Sequence, residues 1–255
     1  MGQTIACANQ KGGVGKTTTV VNLATALALT GQRVLVVDLD PQGNATSGFG
    51  IDRSRLDGTL YEVLLEEREL DSAIIPTAVE GCAIAPASVA LAGAEIELAT
   101  TTQRERRVKG ALAGVADRFD YLLIDCPPSL GLLTVNALSA ADSVLIPLQC
   151  EYYALEGLAD LLHTIELIQE SINPRLEVEG VLLTMFYRRN NLSAQIQSEV
   201  ARHFAGKLFK TIIPRNVRLS EAPSFGKPVL LHDINSSGAQ SYLSLAEELL
   251  GRELH

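Results

Sequence analysis

One stretch near the start, Gln10-Lys11-Gly12-Gly13-Val14-Gly15-Lys16-Thr17-Thr18, restricts this chain more than any other. It lies between an apolar run, Thr4-Ile5-Ala6-Cys7-Ala8, and a helical pattern that begins near Thr17. A strand, a glycine loop and a helix in that order make a phosphate-binding loop. The glycines let the backbone curl, so the N–H groups of Gly12, Gly13, Val14, Gly15, Lys16, Thr17 and Thr18 can turn toward phosphate oxygens. The helix N-terminus behind them adds partial positive charge. Lys16 is placed to reach the β- and γ-phosphates of ATP, and the Thr17 hydroxyl to ligate Mg²⁺.

The loop departs from the usual pattern in one place. A glycine belongs six residues before the phosphate lysine, and here that position is Gln10. A second lysine, Lys11, opens the loop instead. Lys16 already serves the phosphates, so Lys11 is either a solvated loop lysine or one that reaches the nucleotide of a second subunit. A dinucleotide-binding GxGxxG is excluded, because its third glycine would fall on Thr18.

Continuous apolar runs mark strands covered on both faces. They fall at residues 4–8, 33–38, 82–85, 121–125, 143–148, 178–184 and 208–213. Helical patterns fill the intervals at 17–30, 59–65, 89–99, 103–117, 132–139, 156–172, 193–204 and 238–250. This alternation predicts an α/β P-loop NTPase fold, a mostly parallel twisted sheet with helices on both faces. No linker, repeat or low-complexity tract interrupts the chain, so residues 1–255 are expected to form a single domain. Ligands of such sheets bind at the carboxyl ends of the strands. The glycine loop, Asp38, Asp40, Asp125 and Glu151 all stand at or just after strand ends and can meet in one crevice. Asp38 and Asp40 flank one residue, so alternation sends both the same way. An aspartate at a strand end can instead cap the next helix, and Asp40 can start an Asx turn without losing a catalytic role.

Lys11-Gly12-Gly13-Val14-Gly15-Lys16-Thr17-Thr18 resembles the deviant Walker A motif of the ParA/MinD ATPases. Within that class the chain is most similar to the ParA/Soj partition proteins. The resemblance continues through Asp38-Leu39-Asp40-Pro41-Gln42-Gly43-Asn44-Ala45-Thr46, the Walker B-like Asp125-Cys126-Pro127-Pro128-Ser129, Gln149-Cys150-Glu151-Tyr152-Tyr153-Ala154-Leu155-Glu156-Gly157 and the run from Ile213 to Pro223. It implies that Asp40 orients the attacking water and that Asp38 and Asp125, with Thr17, hold the metal or its water shell. By the same resemblance Pro214 and Asn216 recognise adenine, where an amide can donate and accept together. It also implies an ATP-dependent homodimer in which two subunits sandwich two nucleotides and Lys11 crosses to the partner's phosphates. The implied activity is Mg-dependent ATP hydrolysis, in partition of a chromosome or plasmid with a ParB/Spo0J-type centromere-binding protein.

A net charge of −9 argues against nucleic acid if taken globally. Between Met185 and Leu231, however, eight basic residues face only Glu199 and Glu221. Such a run can be a plain solvated face; the resemblance makes it a surface for non-specific double-stranded DNA, with Arg189, Arg218, Lys227 and Lys210 as contacts. These contacts would go to phosphates and be blind to sequence.

A MinD-like membrane-positioning ATPase is the alternative, but that class ends in a basic amphipathic helix. Here residues 245–255 are acidic and apolar, so no membrane association is expected. An iron–sulfur reductase component of the same class would need a cysteine after the Walker B aspartate, where Pro127-Pro128 stands. Cys7, Cys82, Cys126 and Cys150 are widely spaced, and Cys7 and Cys126 read as buried free thiols. Free thiols and phosphate-loop chemistry predict a cytoplasmic protein, the chain is expected to have neither a leader nor a preceding DNA-reading domain, and the resemblance implies association with the nucleoid.

Overall fold

Alternate residues of the central strands enter two different cores, which is why their sequences are apolar throughout. Ile5 and Cys7 of β1 (Gln3–Cys7), Val34 and Val36 of β2 (Val34–Asp38) and Leu123 of β5 (Tyr121–Asp125) pack on one face. Ala6, Leu35, Val37, Leu122 and Ile124 pack on the other. The remaining strands are β3 (Ile75–Pro76), β4 (Cys82–Ala85), β6 (Ser143–Gln149) and β7 (Glu177–Thr184). The computed structural model describes residues 2–151, 154–187, 191–204 and 206–252.

The strands form one seven-stranded sheet in the order β3-β4-β2-β5-β1-β6-β7. Every pairing is parallel except β3 with β4. The chain therefore leaves β1 toward β2 on one side and returns later as β6 on the other. That reversal places a crevice at the carboxyl end of β1, between β5 and β6. The helix Lys16–Leu29 rises from this crevice and is buried on nearly every side, against β2, β5 and the C-terminal helix Ser237–Arg252. The latter buries Ala239, Tyr242, Leu245, Ala246 and Leu249 in the same core. It is thus a docked element of the fold. Among the described residues no helix is long and apolar enough to cross a membrane.

The expected α/β architecture is present, with three local corrections. Residues 208–213 are not a strand, and only isolated bridges join this stretch to the β7 side, Val181 with Leu208 and Phe186 with Pro214. The N–H groups of Lys210 and Thr211 turn instead to the Glu248 carboxylate, at 2.8 Å each, so the ladder cannot continue. Residues 103–117 do not form one helix. A 3-10 turn (Arg104–Arg106), a helix (Arg107–Ala113) ending at Gly114, and a second 3-10 turn (Ala116–Arg118) share the interval. The third correction is β3, an antiparallel edge strand that has no counterpart among the expected strands. All four cysteines are buried and free.

Candidate nucleotide site

A cavity of about 670 Å³ opens at the crevice beside β1. Gly12, Gly13, Gly15, Lys16, Thr17 and Thr18 form one wall, and Asp40, Gln42 and Asn44 another. Pro214, Arg215 and Asn216 also line it.

The loop has the conformation that its glycines permit. Gly13 (φ 74°) and Gly15 (φ 92°) lie in the left-handed region, and Gly15 begins the helix with no side-chain cap. The N–H groups of the first turn are therefore left for a ligand. Two side chains that sequence reasoning missed hold the loop from outside. Thr184 Oγ1 donates to the Val14 carbonyl at 2.7 Å. Asn9, buried, donates to the Pro147 carbonyl at 2.8 Å and accepts the Lys11 N–H at 3.0 Å. Lys16 is buried, with its ammonium 3.2 Å from the Lys11 carbonyl oxygen across the loop.

Lys11 does not line the cavity. Its ammonium pairs with Glu151 of the same subunit at 2.5 Å, and both side chains remain over one third exposed. The lysine is held at the rim by a partner that water can reach.

Three aspartates gather beneath and beside the loop. Asp38 of β2 lies beside Asp125 of β5 in register, and Asp125 lies beside Cys7 of β1. Both Asp125 oxygens are buried without a full hydrogen bond. Burial first, then the Asp38 charge, pushes this carboxyl well above the ordinary carboxylate range, while the nearby Thr17 hydroxyl and Lys16 pull the other way. Asp38 Oδ2 accepts from Thr46 twice, from its N–H (2.8 Å) and its hydroxyl (2.6 Å), whereas Oδ1 has no partner. Burial pushes Asp38 up to about 6 despite the Thr46 bonds, with the Asp40 charge adding to the rise. Asp40 forms the Asx turn considered above, accepting the Gln42 N–H at 2.9 Å.

A buried cluster of acids with unpartnered oxygens is costly alone. It fits a divalent cation shared with a phosphate and water, since three of these oxygens lack partners and Thr17 stands next to them. Among the described residues no group of three or more His, Cys, Asp or Glu could hold a metal unaided.

Asn216 is more constrained than its expected adenine role requires. Its Oδ1 caps the helix Val217–Glu221 by accepting the Arg218 N–H at 2.8 Å, and its amide donates to Ser237 Oγ at 2.8 Å. One N–H and one oxygen lone pair remain for a base. Tyr242 lines the cavity floor and shares a 3.2 Å hydrogen bond with Thr19.

Of the expected DNA contacts, Arg189 lies outside the described residues. Arg218 is exposed yet paired with Glu221 (2.9 Å) and Asp233 (3.3 Å). Lys227 and Lys210 are exposed and have no ion pair among the described residues. Lys227 lines a second cavity of about 420 Å³ that shares Thr17 and Thr18 with the first.

A phosphate loop at the switch point of a parallel sheet, with a lysine at each end and carboxylates on neighbouring strands, defines a P-loop nucleoside triphosphatase of the deviant Walker A type. A family model described as an AAA domain matches residues 2–178. The sporulation initiation inhibitor protein Soj of Bacillus subtilis is 57% identical over 249 residues, 98% of each chain. The chromosome partitioning protein ParA of Myxococcus xanthus is 55% identical, over 99% of this chain and 89% of its own. The chain belongs to the ParA/Soj family of chromosome-partitioning ATPases. Among solved structures, a Mycobacterium smegmatis protein named cobyrinic acid a,c-diamide synthase, bound to an ATP analogue and magnesium, superposes with a TM-score of 0.87. It is 40% identical and covers all of this chain and 96% of its own. The cell division ATPase MinD of Pyrococcus furiosus gives 0.82 at 28% identity, covering all of both chains.

Proposed function

We propose that this chain is the ATP-driven element of a DNA partition system, cycling between a monomer and a nucleotide-sandwich dimer. The observation that carries the reading is the pairing of two incomplete halves. An uncapped helix N-terminus with Lys16 can take phosphate negative charge, and the unpartnered oxygens of Asp38 and Asp125 can take a cation. ATP with Mg²⁺ satisfies both at once, and the M. smegmatis relative is bound to an ATP analogue and magnesium.

In this reading the backbone of Gly12, Gly13, Val14, Gly15, Lys16, Thr17 and Thr18 holds the phosphates, and Lys16 neutralises the β/γ oxygens. Thr17, Asp38 and Asp125 would hold the metal or its waters, and Mg²⁺ would supply neutralisation of the triphosphate's charge. Asp40, at the head of a turn on the cavity wall, orients the attacking water. Pro214 and the free edge of Asn216 receive adenine. Lys11 leaves Glu151 and crosses to the phosphates of the partner, offsetting the repulsion between two facing nucleotides. Dimerisation doubles the basic surface of Arg189, Arg218, Lys227 and Lys210, so non-specific duplex binding follows ATP occupancy. Hydrolysis, raised by a ParB/Spo0J-type protein, then returns the monomer. The protein works in the cytoplasm on the nucleoid.

Sedimentation velocity with a non-hydrolysable ATP analogue tests the sandwich. Wild type shifts to a dimer, whereas Lys11→Ala binds the analogue and stays monomeric. A Lys11→Ala dimer as tight as wild type removes the in-trans role.

A further inference from the structure

The turn that carries Asp40 is closed by a residue far outside the loop motifs. Asp40 sets the inner side of the turn itself, through its carboxylate to the Gln42 N–H (2.9 Å) and its carbonyl to the Gly43 N–H (2.8 Å). The carbonyls of Pro41 and Gln42 then face outward. Arg53 returns to both, with Nη1 donating to Gln42 and Nη2 reaching Pro41 at 3.5 Å. Its guanidinium lies against Gly43 (φ 62°), where a Cβ would sit 2.7 Å from both Cζ and Nε. The arginine is presented by the 3-10 turn Arg53–Arg55, capped by Asp52, which accepts the Ser54 N–H (3.0 Å) and hydroxyl (2.6 Å).

Arg53 makes no ion pair among the described residues, so its charge is spent on backbone carbonyls. The neighbouring acids are occupied: Asp52 pairs with Arg55 at 3.1 Å. Further along, Thr46 is tied to Asp38 and accepts the Ala87 N–H at 3.1 Å. The short helix Asn44–Gly48 is thus anchored at its middle by Thr46. Without Arg53 its entry, the Pro41–Gly43 turn, would be held by Asp40 alone.

We infer that Arg53 is a positioning residue for hydrolysis, a two-pronged clasp that holds the turn so that Asp40 meets the attacking water. This rests on the water-orienting role proposed for Asp40. A guanidinium holds two adjacent carbonyls with a rigid, pre-organised fork, whereas an ammonium is a compact point charge on a flexible stem. Among the described residues no hydrogen bond or ion pair joins Arg53 to the phosphate loop, so substrate binding and turnover separate on its removal.

The test is steady-state ATP hydrolysis by full-length wild type, Arg53→Met and Arg53→Lys, with hydrogen exchange on the same nucleotide-free proteins. Arg53→Met is expected to lower kcat about tenfold while KM for ATP changes less than about twofold. Arg53→Lys, which keeps the charge but loses the rigid fork, falls between the two. Amide exchange of a peptide spanning 41–47 speeds up in Arg53→Met, whereas a peptide spanning 16–29 is unchanged. Unchanged kcat and unchanged exchange overturn the inference, as does a rise in KM alone. Full activity in Arg53→Lys overturns the forked clasp in favour of simple charge. If wild type itself hydrolyses no ATP, the proposed function fails, and the exchange measurement still decides whether Arg53 holds the turn.

Discussion

Replacing Asp38 with asparagine should stabilise the nucleotide-free protein at neutral and alkaline pH and destabilise it in acid. Asp38 is fully buried, and its carboxyl is raised from 3.8 to about 6 by desolvation first. That shift corresponds to about 3 kcal/mol of stability forgone once the group is ionised. The sign follows from the folded value lying above the unfolded one, so the folded state binds more protons between them. Stability therefore falls as pH rises from about 4 to about 6 and stays low above that. Asparagine removes the charge and keeps an oxygen for both Thr46 bonds. Its amide, however, takes the place of Oδ1, which has no partner, and an unsatisfied buried group costs about 1–2 kcal/mol. The net expectation at pH 8 is a gain of about 1–2 kcal/mol, or about 4 °C in Tm for a chain of this size. Near pH 4 the carboxyl is protonated in wild type, and the variant should be the less stable by about 1 kcal/mol. Asp125 remains in both proteins, and losing the Asp38 charge eases its ionisation in the same direction. Scanning calorimetry of both proteins without metal or nucleotide, from pH 4 to pH 8, reads the crossover directly. A constant offset across that range, or a wild type more stable at pH 8, refutes the reasoning.

Glu151→Gln releases Lys11 from a solvent-exposed pair worth at most about 1 kcal/mol, so the ATP-dependent dimer should tighten by about two- to fivefold. A weaker dimer in sedimentation equilibrium would mean that Glu151 itself belongs to the interface. Gly50→Ala should cost roughly 2–4 kcal/mol in denaturant unfolding, because φ is +77° and a Cβ would lie 2.5 Å from the Gly226 carbonyl oxygen. Gly31→Ala shares the left-handed strain (φ +91°) but meets nothing within 4 Å, and should cost only about 1 kcal/mol. Equal losses in the two would show that the Gly50–Gly226 approach is not a tight contact. Lys227→Glu should weaken binding to random duplexes of every composition alike and reduce the salt dependence, measured by fluorescence anisotropy. Loss confined to one sequence would contradict phosphate-only contact.

Much of the site can be read directly from the chain, because parallel strands buried on both faces leave uninterrupted apolar runs ending in polar residues. Asp38 and Asp125 stand at such ends, and the strand order brings them together. Residues 208–213 mislead for the same reason, since Leu208, Phe209, Ile212 and Ile213 are apolar enough for a strand. Glu248 from the last helix takes two of their backbone donors, and no local pattern announces that. The Asn216 cap had a local signal, an asparagine opening a short helix. The Lys11–Glu151 pair had only a coarse signal: both stand after strand carboxyl ends and so near one crevice, but spacing along the chain does not say that two residues 140 apart touch. Arg53 is closer in sequence, but its bonds go to backbone carbonyls, which carry no residue signature.

Retention of a random-sequence duplex, measured with ATP, with ADP and without nucleotide, tests the proposed switch most directly. The account predicts firm binding with ATP alone, lost in Lys11→Ala and steeply weakened by salt. Equal binding in all three states, or a Lys11→Ala protein that holds DNA like wild type, would contradict it.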